Sequence, residues 1–405
     1  MNRLMFGLCT AVGCAFVLQF PATAIAGKVA TEKMEKVVYS FDGTDGEYPE
    51  AGVVKVKGTL YGTTEEGGSY GDGAVFALVR KTGAETVLHS FSGGTDGERP
   101  YAGLIEVKGT LYGTTAYGGA SGGGTVFSVD PTTGAETVVY TFCSQPGCAD
   151  GELPFYGGLI PMRGTLYGTT WSGGTIGGGT VFSVDPTTGA ETVLHSFGSD
   201  TDGADPVANL IDVNGTLYGT TWAGGTYGNY GGYGTVFSVD PTTGAETVLH
   251  SFGSGTDGQY PNAGLIDVNG TLWGTTGAGG TYGYGTVFSV NPTTGAETVV
   301  YSFCSQRNCP DGEDPLASLI DVNGTLYGTT ETGGASEVGT VFSVNPTTGA
   351  ETVVYSFCSQ QECADGDRPV ANLTDVHGKL YGTTLEGGAG SCEYGCGTVF
   401  EIKEH

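Results

Sequence analysis

The segment Gly-Thr-Leu-Tyr-Gly-Thr-Thr occurs seven times, beginning at Gly58, Gly109, Gly164, Gly215, Gly270, Gly324 and Gly378. The fifth copy carries Trp273 for tyrosine and the last carries Lys379 for the first threonine. Successive starts lie 51, 55, 51, 55, 54 and 54 residues apart. A fixed period of this size marks one supersecondary unit per repeat, each burying its apolar face only against its neighbours. The repeat therefore overrides the two or three domains that 405 residues alone would suggest.

Each unit holds four strand signals, illustrated by the fourth copy: Leu210-Ile211-Asp212-Val213, then Gly215 to Thr221, then Gly234 to Val239, then Glu246 to Phe252. All are short, β-branched or aromatic, and bounded by turn residues. Asn214-Gly215 suits a two-residue type I′ hairpin, whose central residues need positive φ. Asp240-Pro241-Thr242-Thr243-Gly244 joins strands three and four, with proline presetting φ and glycine free to take the left-handed position.

Four antiparallel strands repeated seven times define an all-β, seven-bladed β-propeller. The ends of the chain specify how it closes. A fourth-strand copy at 37–41 has no earlier strands of its own, and the third-strand copy at 397–402 has no fourth strand after it. Seven complete blades result if the N-terminal strand completes the last blade, which removes the open sheet edge. Blades are expected to start near residues 50, 101, 155, 206, 261, 315 and 369 of a single domain spanning 27–405.

Residues 1–26 read as a signal peptide: Arg3, an apolar run from Leu4 to Phe20, and Ala24-Ile25-Ala26 before Gly27. Gly13-Cys14 is the weaker alternative of a lipidation site. No later segment is apolar enough to span a membrane. The expected location is therefore secreted, either extracellular or periplasmic. The formal charge of -28 argues against a nucleic-acid partner and against docking on anionic lipid. Excluding the two leader cysteines, eight form close pairs, Cys143/Cys148, Cys304/Cys309, Cys358/Cys363 and Cys392/Cys396, read as disulfides in an oxidising compartment. A zinc site from Cys358, Cys363, Cys392 and Cys396, which converge on the loop face of the last blade, is the rival.

The order of apolar run, Asn-Gly, Leu-Tyr, Gly-Gly and Val-Phe-Ser-Val-Asp-Pro-Thr-Thr-Gly resembles a kelch motif. The fuller pattern from Val37 to Ile402 resembles the bacterial GloVer tandem repeat. That resemblance implies an exported, propeller-like bacterial protein and carries over no catalytic residues.

The loops joining strands two to three and four to one share one face, and there the copies vary; the hairpin face is nearly invariant between blades. Each four-to-one loop carries Asp-Gly-x-x-Pro, with Asp45, Asp96, Asp150, Asp202, Asp257, Asp311 and Asp365. The aspartate is expected to hydrogen-bond backbone two residues on. The sharper alternative is a ring of carboxylates near the channel mouth that holds calcium. In the two-to-three loops Trp171, Trp222, Tyr227, Tyr230 and Tyr282 are candidate sugar-stacking rings, with packing over the glycine-rich sheet ends as the alternative. His89, His195 and His250 share a strand-four position with tyrosines, which reads as packing.

No catalytic residue is identified, and no cofactor beyond calcium. The expected function is a monomeric, non-catalytic exported propeller that binds a glycan or surface protein. The alternative is a propeller hydrolase, lyase or lactonase with a metal at the channel mouth, for which asymmetric acidic or histidine groups in the channel would speak.

Overall fold

The computed structural model describes residues 35–198, 201–227 and 232–403. Seven four-stranded antiparallel sheets follow one another around a ring. In blade four the strands are Ile211–Val213, Thr216–Thr221, Thr235–Val239 and Glu246–Ser251, each paired with the next in sequence. The other blades repeat this order. The first strands of neighbouring blades approach one another and line the centre, so the fourth strands form the outer wall.

Closure is as expected from the chain ends, with slightly different bounds. The strand Glu35–Ser40 pairs antiparallel with Thr398–Lys403, and the Phe41 N–H bonds the Gly397 carbonyl at 3.1 Å. Asn214 and Gly215 both take positive φ, 57° and 91°, so the type I′ hairpin forms.

The core is a belt of phenylalanines. The last residue of each fourth-strand motif meets the third-strand phenylalanine of the next blade, edge to face at 4.9–5.1 Å between centroids: Phe91 with Phe127, Phe142 with Phe182, and so on. Both partners are fully buried. The central glycine of Gly-Thr-Leu-Tyr-Gly-Thr-Thr exists to admit this ring: a Cβ on Gly219 would lie 2.7 Å from Phe237 Cζ and 2.9 Å from Leu210 Cδ2. The threonine after that glycine ties blades together. Thr63, Thr169, Thr220, Thr275, Thr329 and Thr383 each donate a buried hydroxyl to an alanine carbonyl of the following blade. The seventh member, Thr114, is fully buried and makes no such bond.

Candidate functional site at the channel mouth

On the loop face, one residue per blade is held in a costly conformation. The residue before the proline of each Asp-Gly-x-x-Pro loop, Tyr48, Arg99, Leu153, Asp205, Tyr260, Asp314 or Arg368, has φ between 53° and 58°. None is glycine, and a following proline disfavours helical backbone further. Backbone bonds on both sides hold the position: Arg99 donates to the Asp72 carbonyl, and its own carbonyl accepts from Ala116, each within 3.0 Å. The same two bonds recur in every blade. Constant strained backbone carrying four unlike residue types over the seven copies is the pattern of a binding surface on a rigid scaffold.

The residues that follow the prolines, among them Glu50, Tyr101, Val207, Asn262 and Leu316, line a central cavity of about 490 Å³ together with Tyr156; of the seven strained residues Arg368 lines it too. Its walls break the sevenfold pattern. Arg99 bridges Glu65 and Glu66, both at 2.9 Å, and Tyr101 donates to the same Glu65 oxygen at 2.5 Å. Arg368 pairs with Glu331 and with Glu386.

The break has a sequence cause. From the loop proline to the first apolar strand residue is four positions in six blades, as Pro206 to Leu210, and five in blade three, Pro154 to Leu159. The inserted residue gives Phe155 and Tyr156 in place of one side chain. Phe155 stacks on Tyr101 at 4.5 Å and 18°, and Trp171 meets Phe155 edge-on at 5.8 Å. Tyr156 lines the same cavity as Glu50. Thr114, whose counterparts bond a carbonyl of the following blade, is the member that faces the insertion, and its hydroxyl is unsatisfied. An orphaned buried hydroxyl costs about 1–3 kcal/mol.

Burial, then the adjacent Glu65 charge, pushes the Glu50 carboxyl up to about 8. Glu65 is raised by burial as well, against the opposing pull of Tyr101 and Arg99. Glu50 thus keeps its proton at neutral pH beside a carboxyl held by a guanidinium. Asp314 is also pushed up, to about 6, by burial and by Glu313 and Glu331.

The sequence candidates divide. Trp171 belongs to the mouth, and Trp222 stacks on Tyr260 at 4.9 Å. Tyr227 lies by an outer hollow with Asp202 and His250, Tyr282 is 49% exposed on its loop, and Tyr230 lies outside the described residues, as does the signal segment.

The seven aspartates are not gathered at the mouth. Each sits against the outer fourth strand of its own blade, bonded to that strand's tyrosine or histidine: Tyr140 donates to Asp150 at 2.7 Å, and His250 lies 3.2 Å from Asp257. Their backbone donors also lie upstream rather than two residues on, as Ser144 and Gln145 for Asp150. The carboxylates pin the loop back to the strand, and the histidines fill the role of the tyrosines they replace.

All four cysteine pairs are disulfides: Cys143–Cys148, Cys304–Cys309, Cys358–Cys363 and Cys392–Cys396. This removes the four-thiolate zinc alternative. Cys396 lies at the loop end of the last blade but is not exposed there. Its side chain is fully buried and packs in the core with Val38, Phe41, Tyr381 and Val399. The cause is its position one residue before Gly397, whose carbonyl receives the Phe41 N–H, so the returning N-terminal strand covers it. The Cys396 carbonyl in turn accepts from the Tyr48 N–H at 3.2 Å. The fourth disulfide is thus part of the ring seam, whereas the other three belong to surface loops.

Sequence reasoning missed Glu50, Glu65, Arg99, Tyr101, Phe155, Tyr156 and Arg368. The signal was present in the residues flanking each loop proline, which vary where everything around them repeats. It also lay in the extra residue of blade three. Of the acidic groups at the centre, Glu50 lines the cavity and Glu65 lies beside it, bonded to Tyr101 and Arg99.

Among solved structures, the extracellular domain of a hybrid two-component system from B. thetaiotaomicron superposes at a TM-score of 0.57 and 12% identity, over 90% of this chain and 39% of that one. The chain thus spans well under half the length of that relative. An oligogalacturonate lyase from Vibrio parahaemolyticus superposes at 0.53 and 13%, over 88% and 89% of the two chains. An oligogalacturonate lyase in complex with manganese does so at 0.50 and 12%, over 89% and 90%. At these identities the likeness is one of fold. No curated protein sequence matches the chain. The model of the Gloeobacter/Verrucomicrobia repeat matches residues 27–233 and 228–405, so the chain belongs to the Gloeobacter/Verrucomicrobia repeat family.

Proposed function

We propose that this chain is an exported binding propeller whose channel mouth, on the side of blades one to three, takes up a saccharide. The observation that carries the reading is the blade-three insertion, which faces the unsatisfied Thr114 hydroxyl, sets Phe155 against Tyr101 and adds Tyr156 to the cavity lining. Flat rings and hydrogen-bonding carboxyls around one cavity suit the apolar faces and hydroxyl edges of sugar rings. Four disulfides suit an oxidising, extracellular setting. No described helix is long and apolar enough to cross a membrane.

Calorimetry against neutral, acidic and amino oligosaccharides tests this. Phe155→Ala should weaken binding about tenfold or more, with its melting temperature checking that the fold is kept. Absence of saturable binding to every class would sink the proposal.

One observation favours an enzyme as second reading. Two neighbouring carboxyls in unlike surroundings, Glu50 raised by burial and Glu65 bonded to Tyr101 and Arg99, are the kind of pair used in acid–base cleavage. Release of new sugar ends by the wild type, abolished in Glu50→Gln while binding persists, would promote this reading over the first.

A further inference from the structure

The hairpin face opposite the mouth is not uniform, and blade one is the exception. Its third-to-fourth turn reads Val79-Arg80-Lys81-Thr82-Gly83 where blades two to six have Asp or Asn, then Pro-Thr-Thr-Gly. Its first hairpin carries Lys57, a cation shared with Lys108 of blade two and Arg163 of blade three, where blades four to six have Asn214, Asn269 and Asn323; only in blade one does this cation lie beside a basic third-to-fourth turn. These departures fall together in space. Thr59 pairs across the sheet with both Val56 and Val79, so the Lys57 turn lies beside the Val79 tip. Val79 is 41% exposed, an apolar side chain among cations. The patch runs on into blade seven. The Arg80 guanidinium lies 5.6 Å from the Tyr381 ring centroid, a Cβ on Gly83 would sit 3.0 Å from the Val38 carbonyl, and exposed Lys36 is two residues from Val38.

We propose that Lys36, Lys57, Val79, Arg80 and Lys81 form a docking surface for the anionic headgroups of a lipid bilayer. Cations around an exposed apolar tip are the composition that sits at a headgroup boundary, where the charges meet phosphate and the tip enters the apolar edge. The net charge of -28 argues the other way only if charge is averaged over the chain. At physiological ionic strength charges beyond about 8 Å are screened, so the contacting patch decides. Docking by this end turns the channel mouth away from the membrane, toward whatever it binds.

The test is co-sedimentation of the chain with phosphatidylcholine vesicles, with and without phosphatidylglycerol. Bound fraction should rise about tenfold or more on anionic vesicles and collapse at high salt. Lys57→Glu/Lys81→Glu should abolish it, whereas Lys108→Glu/Arg163→Glu, an equal charge change on blades two and three, should not. Melting temperatures of both variants check that the fold is kept. Three results would overturn the proposal: no enrichment on anionic vesicles, equal loss in both variants, or capture of a soluble acidic polymer by the patch without vesicle binding.

Discussion

The ring of Phe41 lies 5.1 Å from that of Phe76, edge to face, although one sits near the start of the described chain and the other belongs to the first complete blade. This contact repeats, across the seam, the one made at every internal blade junction. It makes the propeller a closed belt rather than an open arc. Phe41→Ala should therefore cost as much as Phe91→Ala inside the ring, about 3–5 kcal/mol in each case. Chemical denaturation of the two variants checks this, and a seam variant that unfolds like wild type would mean the ring is not closed.

The strand-two glycine gives a second expectation. Gly219→Ala places a methyl group 2.7 Å from Phe237 Cζ, on backbone that is otherwise ordinary strand. Overpacking of this kind should cost about 1–3 kcal/mol. Adding Phe237→Leu should recover part of the loss, because the obstruction is that ring. Additive destabilisation in a double-mutant cycle would contradict the contact.

The seven blade junctions predict a pH dependence. At six of them the fourth-strand glutamate, Glu85, Glu136, Glu191, Glu246, Glu297 or Glu351, is pushed up to about 7, first by burial and then by the loop aspartate of the preceding blade. A raised carboxyl binds its proton more tightly folded than unfolded. Its stabilising contribution is thus complete below its ordinary value of about 4.5 and is lost as pH rises through about 7. His89, His195 and His250 oppose this, since burial lowers them and their contribution is lost as pH falls. Glu191→Gln sits at a junction with Tyr140 rather than histidine. It should leave the melting temperature unchanged near pH 4 and raise it near pH 7.5. A uniform offset at both values would contradict the assignment.

The fold was legible because strand spacing, turn chemistry and the orphan strands at both ends all pointed to one ring. The site was legible only in part. Aspartate and proline recur in every loop and draw attention, yet they hold the scaffold, with Asp150 bonded to Tyr140 and Pro154 opening an inner strand. Recurrence selects what the fold needs. The residues between them, Arg99 or Tyr260, look like loop drift until their shared positive φ shows one constrained backbone presenting unlike side chains. The stacking of Trp222 on Tyr260 was equally hidden, because the two come from different loops. The pairing of Cys392 with Cys396 was readable from spacing, but the burial of Cys396 was not, since Phe41 and Val38 reach it from the far end of the chain.

Reduction should act locally at three of the four bridges. Cys143–Cys148, Cys304–Cys309 and Cys358–Cys363 each close a short loop on the mouth face. Losing any one should cost about 2 kcal/mol in the chain-entropy model. Serine pairs at Cys143 and Cys148 should lower the unfolding midpoint without changing the fold seen by circular dichroism. An unchanged midpoint would show that the bridge constrains nothing.

The most direct test of the account is to delete Tyr156, which returns blade three to the four-residue spacing of its neighbours. The account holds that this insertion exchanges stability for a binding mouth. The shortened protein should melt at or above the wild-type temperature, because Thr114 regains a carbonyl worth about 1 kcal/mol, and it should lose saccharide binding. A variant that melts lower and binds as well as wild type would contradict it.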